Sequence, residues 1–123
     1  MSAVKKEVVI VTGVDLAPQA VEILRDFQLV YAGAKPTEDD MVSLVQQHQP
    51  VAIIVRYGGV SARVMDAAPG LRVISKHGTG IDSIDTEAAK ARGIVVKAAA
   101  GANAPAVAEH TWALIMACAK SVV

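Results

Sequence analysis

The chain has 123 residues, 53% of them hydrophobic, and its 12 basic and 12 acidic side chains cancel to a net charge of zero. That length fits one domain, which buries roughly two-thirds of the surface its unfolded chain exposes. The charge balance leaves no overall basic field for nucleic acid or an anionic membrane. A single cysteine, Cys118, excludes an internal disulfide and a Cys-rich zinc site, and with one Trp, two Tyr and one Phe the core has to be aliphatic.

In chain order, residues 7–12 (EVVIVT) form an apolar run ending at Gly13, the pattern of a strand buried on both faces. Asp15 is placed to cap a helix whose apolar positions Val21, Leu24 and Phe27 face inward. Residues 29–31 make a short second strand. Pro36 and Thr37 then open a helix, with Thr37 as N-cap, Glu38, Asp39 and Asp40 in its electropositive first turn, and Met41, Leu44 and Val45 on its inner face. Residues 51–55 (VAIIV) are the most apolar strand, and Arg56-Tyr57-Gly58-Gly59 follows it. A short helix starts at Ser61 and runs to about residue 68, and Pro69-Gly70 breaks the chain. Residues 71–75 (LRVIS) are the fourth strand, with His77-Gly78-Thr79-Gly80 as its turn. Asp85 caps a helix through Lys90 that Gly93 closes, and residues 94–96 are the fifth strand. An Ala-rich loop, 98–102, leads to Asn103 and to a last helix that begins near Pro105 and ends near Lys120.

Five strands alternating with helices predict an α/β fold with right-handed crossovers and a doubly wound parallel sheet. For five strands the order expected is the flavodoxin-like 2-1-3-4-5. The run 8–11 is too short for a signal-peptide core, and residues 112–119 fall far below the ~20 needed to cross a bilayer. The expectation is a cytoplasmic protein without a membrane or nucleic-acid partner.

In open α/β sheets ligands bind at the carboxyl ends of the strands. The loops there, 56–59, 77–80 and 98–103, hold an unusual share of the glycine and hydrogen-bonding side chains. An arginine emerging from strand three grips a carboxylate or phosphate through paired hydrogen bonds, and Gly58 and Gly59 let backbone N–H groups approach the same anion. The same letters also suit a surface arginine beside a turn. Gly78-Thr79-Gly80 is not a dinucleotide fingerprint, since Ser83 stands where the third glycine belongs. Asn103 suits a helix cap better than a ligand contact. His48, His77 and His110 show no spacing to a Cys, Ser or carboxylate that makes a triad or a metal site. The last helix carries Val107, Trp112, Leu114, Ile115 and Cys118 on more than one face, so a surface beyond the sheet is expected to cover it.

Residues 71–96 (LRVISKHGTGIDSIDTEAAKARGIVV) and 101–117 (GANAPAVAEHTWALIMA) carry the spacing G-T-G-[IV]-D-x-[IV]-D, R-G-I and N-x-x-[SA]-V-A-E. On these motifs the chain resembles the N-terminal half of D-2-hydroxyacid dehydrogenases of the phosphoglycerate dehydrogenase type. The resemblance implies a flavodoxin-like substrate-binding domain over residues 1–103. A linker helix over 104–123 would lead towards an NAD-binding Rossmann domain past Val123, with NADP as the alternative cofactor. It gives Arg56 the substrate's anionic end, Tyr57, Gly58 and Gly59 the loop whose backbone meets the carboxylate, Thr79 a cofactor contact, and Asn103 a place beside substrate and nicotinamide. It puts the catalytic arginine, carboxylate and histidine beyond this chain, so the 123 residues alone are expected to be inactive and to self-associate through the linker helix. Tyr57-Gly58-Gly59 departs from the polar residue that phosphoglycerate dehydrogenases carry after the matching arginine, which counts against a phosphorylated substrate. Two other readings use the same loops: a stand-alone flavodoxin-like regulatory module, against which Arg56 stands where a phosphate receiver needs an Asp, and a dehydrogenase-like NAD sensor without catalysis.

Overall fold

The computed structural model describes residues 6–14, 16, 18–77 and 83–99. Along them run β1 (Val8–Thr12), α1 (Pro18–Ile23), β2 (Gln28–Tyr31), α2 (Glu38–His48), β3 (Ala52–Val55), α3 (Ala62–Asp66), β4 (Val73–His77), α4 (Thr86–Ala91) and β5 (Val95–Ala99). All four strand pairings are parallel and the order is β2-β1-β3-β4-β5, as the alternating pattern predicts.

Parallel crossovers cover both faces of such a sheet, so its strands are apolar throughout rather than alternating. One face presents Val8, Ile10, Ile53, Val55 and Ile74 to Met41 and Val45 of α2, Val64 and Met65 of α3, and Ala88 and Ala89 of α4. The other presents Val9, Val11, Ala52, Ile54 and Val73 to Leu16, Ala20 and Leu24. The central β3 is wholly buried.

The helix caps follow the sequence closely. Thr37 closes a capping box with Asp40, each side chain accepting the other's backbone N–H, at 3.0 and 3.1 Å. Ser61 and Asp85 are the N-caps of α3 and α4. Gly93 adopts φ +72°, the left-handed turn expected after α4.

Several boundaries differ. Along α1 and the turn after it, Ala20 and Leu24, four apart, face inward, whereas Val21 is 40% exposed and Phe27 is half-buried. A helix of six residues shows too little periodicity to fix its buried face, and one residue of error rotates that face by about 100°. α3 ends at Asp66, before the expected 68. β4 begins at Val73 because the N–H of Leu71 turns back to the carbonyl of Ala68, and it continues through His77. β5 extends past 96 to Ala99 because β4 still offers a ladder there, Lys76 to Ala98 and His77 to Ala99. Pairing partners override the weak strand preference of alanine. The cap assigned to Asp15 and the final helix over 104–123 lie outside the described residues. Among those described, no helix is long and apolar enough to cross a membrane.

Candidate functional site

Parallel pairing puts the carboxyl ends of β1 and β3 side by side, with Thr12 opposite Val55. The segments that leave them, Gly13-Val14 and Arg56-Tyr57-Gly58-Gly59, are therefore neighbours. A β-carbon on Gly13 would stand 3.4 Å from Cδ and 3.6 Å from Nη1 of Arg56, and 3.8 Å from Cε2 of Tyr57. Both side chains thus lie over the end of β1, in room that glycine leaves. The Arg56 guanidinium carbon sits 5.6 Å from the centre of the Tyr57 ring, within reach of a cation–π contact.

The loop is tied down along its length. The N–H groups of Arg56 and Tyr57 both donate to Thr12 Oγ1, at 2.8 and 3.0 Å. Gly58 takes φ +69°, a conformation that side chains rarely adopt, and faces Pro36. Gly59 lies so close to Ser83 that a β-carbon would collide with the Ser83 carbonyl oxygen. Next to it, Val60 forms a parallel bridge with Ile84, donating to the Ser83 carbonyl and accepting from the Asp85 N–H, each at 3.0 Å. Gly59 is therefore a glycine for packing.

Val14, Tyr57 and Tyr31, which follow or end β1, β3 and β2, are 68%, 49% and 38% exposed along this edge of the sheet. An arginine among such residues suits a small carboxylic acid with an organic side chain. Two hollows elsewhere suit such an acid less. A groove of ≈ 370 Å³ between Thr37, Gly59, Ser61 and Ser83 is edged by the carboxylates of Glu38 and Asp85, which repel an anion. The hydrogen bond from Ser61 and then the one from Arg63 hold the Glu38 carboxyl below its ordinary range, so it stays charged. A hollow of ≈ 720 Å³ along α1 and β2 is mostly aliphatic and aromatic.

Of the residues singled out from the sequence, Arg56 and Tyr57 lie together over Gly13, whereas Gly58 faces Pro36 and Gly59 packs against Ser83. Thr79 and Asn103 lie outside the described residues. Thr12 and Gly13 were missed. The available signal was a hydroxyl ending an otherwise aliphatic strand, VVIVT, immediately before a glycine. Among the described residues no group of three or more His, Cys, Asp or Glu is placed to hold a metal ion. Nor does the glycine turn from β3 into α3 suit a dinucleotide pyrophosphate, because Ser83 already fills the space beside Gly59.

Residues 8–120 match the family described as D-isomer specific 2-hydroxyacid dehydrogenase, catalytic domain. The D-3-phosphoglycerate dehydrogenase of Mycobacterium bovis is 35% identical over 108 residues, covering 87% of this chain and 20% of that protein. An NADPH-dependent glyoxylate/hydroxypyruvate reductase from Sinorhizobium meliloti, solved with NADP and malonate, is 29% identical with a TM-score of 0.56, over 76% of this chain and 28% of the other. The NAD+-bound 3-phosphoglycerate dehydrogenase of Entamoeba histolytica shares the fold, with a TM-score of 0.62 at 23% identity over 76% of this chain and 32% of its own. This chain spans about a fifth of the curated relative's length and under a third of either solved chain.

Proposed function

The chain belongs to the D-isomer specific 2-hydroxyacid dehydrogenase family, as its catalytic domain, and from that we propose that residues 1–103 bind the substrate of a cytoplasmic NAD(P)-dependent oxidoreductase. The substrate is a small D-2-hydroxy acid or the matching 2-keto acid. Arg56 grips its carboxylate and the Gly58-Gly59 backbone completes the cradle, with Tyr57 as a wall. By resemblance, Asn103 stands beside the reacting carbon and Thr79 touches the nicotinamide. The same resemblance assigns residues 104–123 to a linker helix towards the domain that would hold the cofactor. The observation that carries this reading is an arginine leaving the carboxyl end of β3 in a loop anchored at Thr12 and at Ser83.

NAD, when bound, accepts or supplies the hydride. By the same resemblance, its grip is assigned to the domain towards which residues 104–123 lead. Tyr57-Gly58-Gly59 departs from the polar residue that phosphoglycerate dehydrogenases carry after the matching arginine, and this departure favours an unphosphorylated acid. Between the relatives, this aligns the site with the substrates of a glyoxylate/hydroxypyruvate reductase rather than of a phosphoglycerate dehydrogenase.

The test is a titration of pyruvate into the labelled chain, followed by amide shifts. Wild type is expected to respond in residues 56–59. Arg56→Gln should bind about 10–100-fold more weakly, since hydrogen bonds to charged groups contribute about 1.5–3 kcal/mol. Equal binding by both proteins sinks the assignment. With NAD and a panel of 2-hydroxy acids, the 123 residues alone should produce no NADH absorbance. Sedimentation should show self-association through the linker helix.

A further inference from the structure

The ladder between β1 and β3 ends at the pair Thr12 and Val55. Beyond it the chain of β1 turns away: the Gly13 N–H bonds back to the Val11 carbonyl at 3.0 Å, and the Gly13 carbonyl accepts from Gly33 at 3.1 Å. The next two amides of the β3 side, those of Arg56 and Tyr57, go to a side chain, the Thr12 hydroxyl. Thr12 is 0% exposed and is the single polar residue of a strand otherwise made of valine and isoleucine. A hydroxyl withdrawn from water is costly unless it is bonded, and two successive amides converging on it offset that cost. Convergence also has a geometric effect. It fixes the direction of the peptides on either side of the Arg56 α-carbon, and so the direction in which the guanidinium leaves the sheet.

We propose that Thr12 is the positioning residue of the anion-binding loop, aiming Arg56 and holding the Tyr57 ring over Gly13 while touching no substrate itself. This rests on the functional reading above and adds to it a residue 44 positions upstream of Arg56. Valine has the same shape and no acceptor; serine keeps the oxygen. The two substitutions separate the hydroxyl from the packing around it.

The experiment titrates pyruvate, with uncharged methyl pyruvate as control, into wild type, Thr12→Val, Thr12→Ser and Thr12→Ala, and follows amide hydrogen exchange in each. Wild type should bind pyruvate and ignore the ester. Thr12→Ser should stay within about threefold of it, and Thr12→Val should lose about tenfold or more, the scale of one or two such hydrogen bonds. In Thr12→Val the amides of Arg56 and Tyr57 should exchange at least about tenfold faster while those of Ile10 and Ile53 stay slow, a pattern general loosening of the sheet would not give. If Thr12→Val does not fold, Thr12→Ala against Thr12→Ser makes the same comparison. Wild-type affinity and wild-type exchange at Arg56 and Tyr57 in the hydroxyl-free variant would overturn the role of Thr12. Failure of wild type itself to bind pyruvate would instead overturn the functional reading.

Discussion

At Gly59 a β-carbon would stand 3.0 Å from the Ser83 carbonyl carbon and 3.2 Å from its Cβ, besides colliding with its oxygen. The obstruction is backbone, held by the Val60–Ile84 bridge, so it has no easy way to move aside. Gly59→Ala is expected to destabilise the fold by about 1–3 kcal/mol, as overpacking does, and to lower the thermal midpoint. A midpoint equal to wild type would mean that the two loops separate freely. Arg56 calls for the opposite outcome. Arg56→Lys keeps the charge and loses the planar fork that matches a carboxylate, so pyruvate affinity should fall by about tenfold while the thermal midpoint holds. Undiminished affinity would reduce Arg56 to a point charge. Arg56 and both glycines stood out in the sequence because they directly follow the most apolar strand, where the carboxyl end of a parallel sheet offers a site. Ser83 as the reason for Gly59 was not legible, since 24 residues separate them and only the parallel bridge joins them.

Among the elements, α2 and α3 depend most on polar chemistry. Thr37→Ala removes half of a capping box and should cost about 1 kcal/mol, read from denaturant unfolding. α3, only five residues long, is tied to the start of α2 through Ser61 and Arg63, which reach Glu38 and Asp39. The Glu38 carboxyl is held below its ordinary value of 4.5, chiefly by the Ser61 hydroxyl. A lowered folded-state pKa means that the contribution is fully present above about pH 4.5 and is lost as the pH falls through the lowered value. Ser61→Ala should move the Glu38 titration midpoint upward, measured from its carboxylate shifts; an unchanged midpoint would contradict the bond. The caps were readable because Thr, Ser and Asp before a helical run act locally. The buried face of α1 was not, because Val21 and Ala20 compete for the core within a turn and a half.

For the molecule as a whole, the sheet separates two cores that β3 serves from opposite sides. Ile53 belongs with α2, α3 and α4, and Ile54 with Ala20 and Leu24. Both are 0% exposed, so Ile53→Ala and Ile54→Ala should each cost about 2–5 kcal/mol in equilibrium unfolding. A much smaller loss at Ile54 would mean that its side of the sheet collapses around the cavity more readily than the side covered by three helices.

The sequence by itself determined the α/β class, the caps of α2, α3 and α4 and the place of the arginine-glycine loop after β3, because each is written in neighbouring residues or a short period, and the strand order followed as the commonest one for five alternating strands. Only the folded chain decided where β4 and β5 end, which face of α1 is buried, and which groups hold the loop. Those depend on partners far along the chain: the Thr12 hydroxyl meets amides 44 and 45 residues away, a meeting made when parallel strands align.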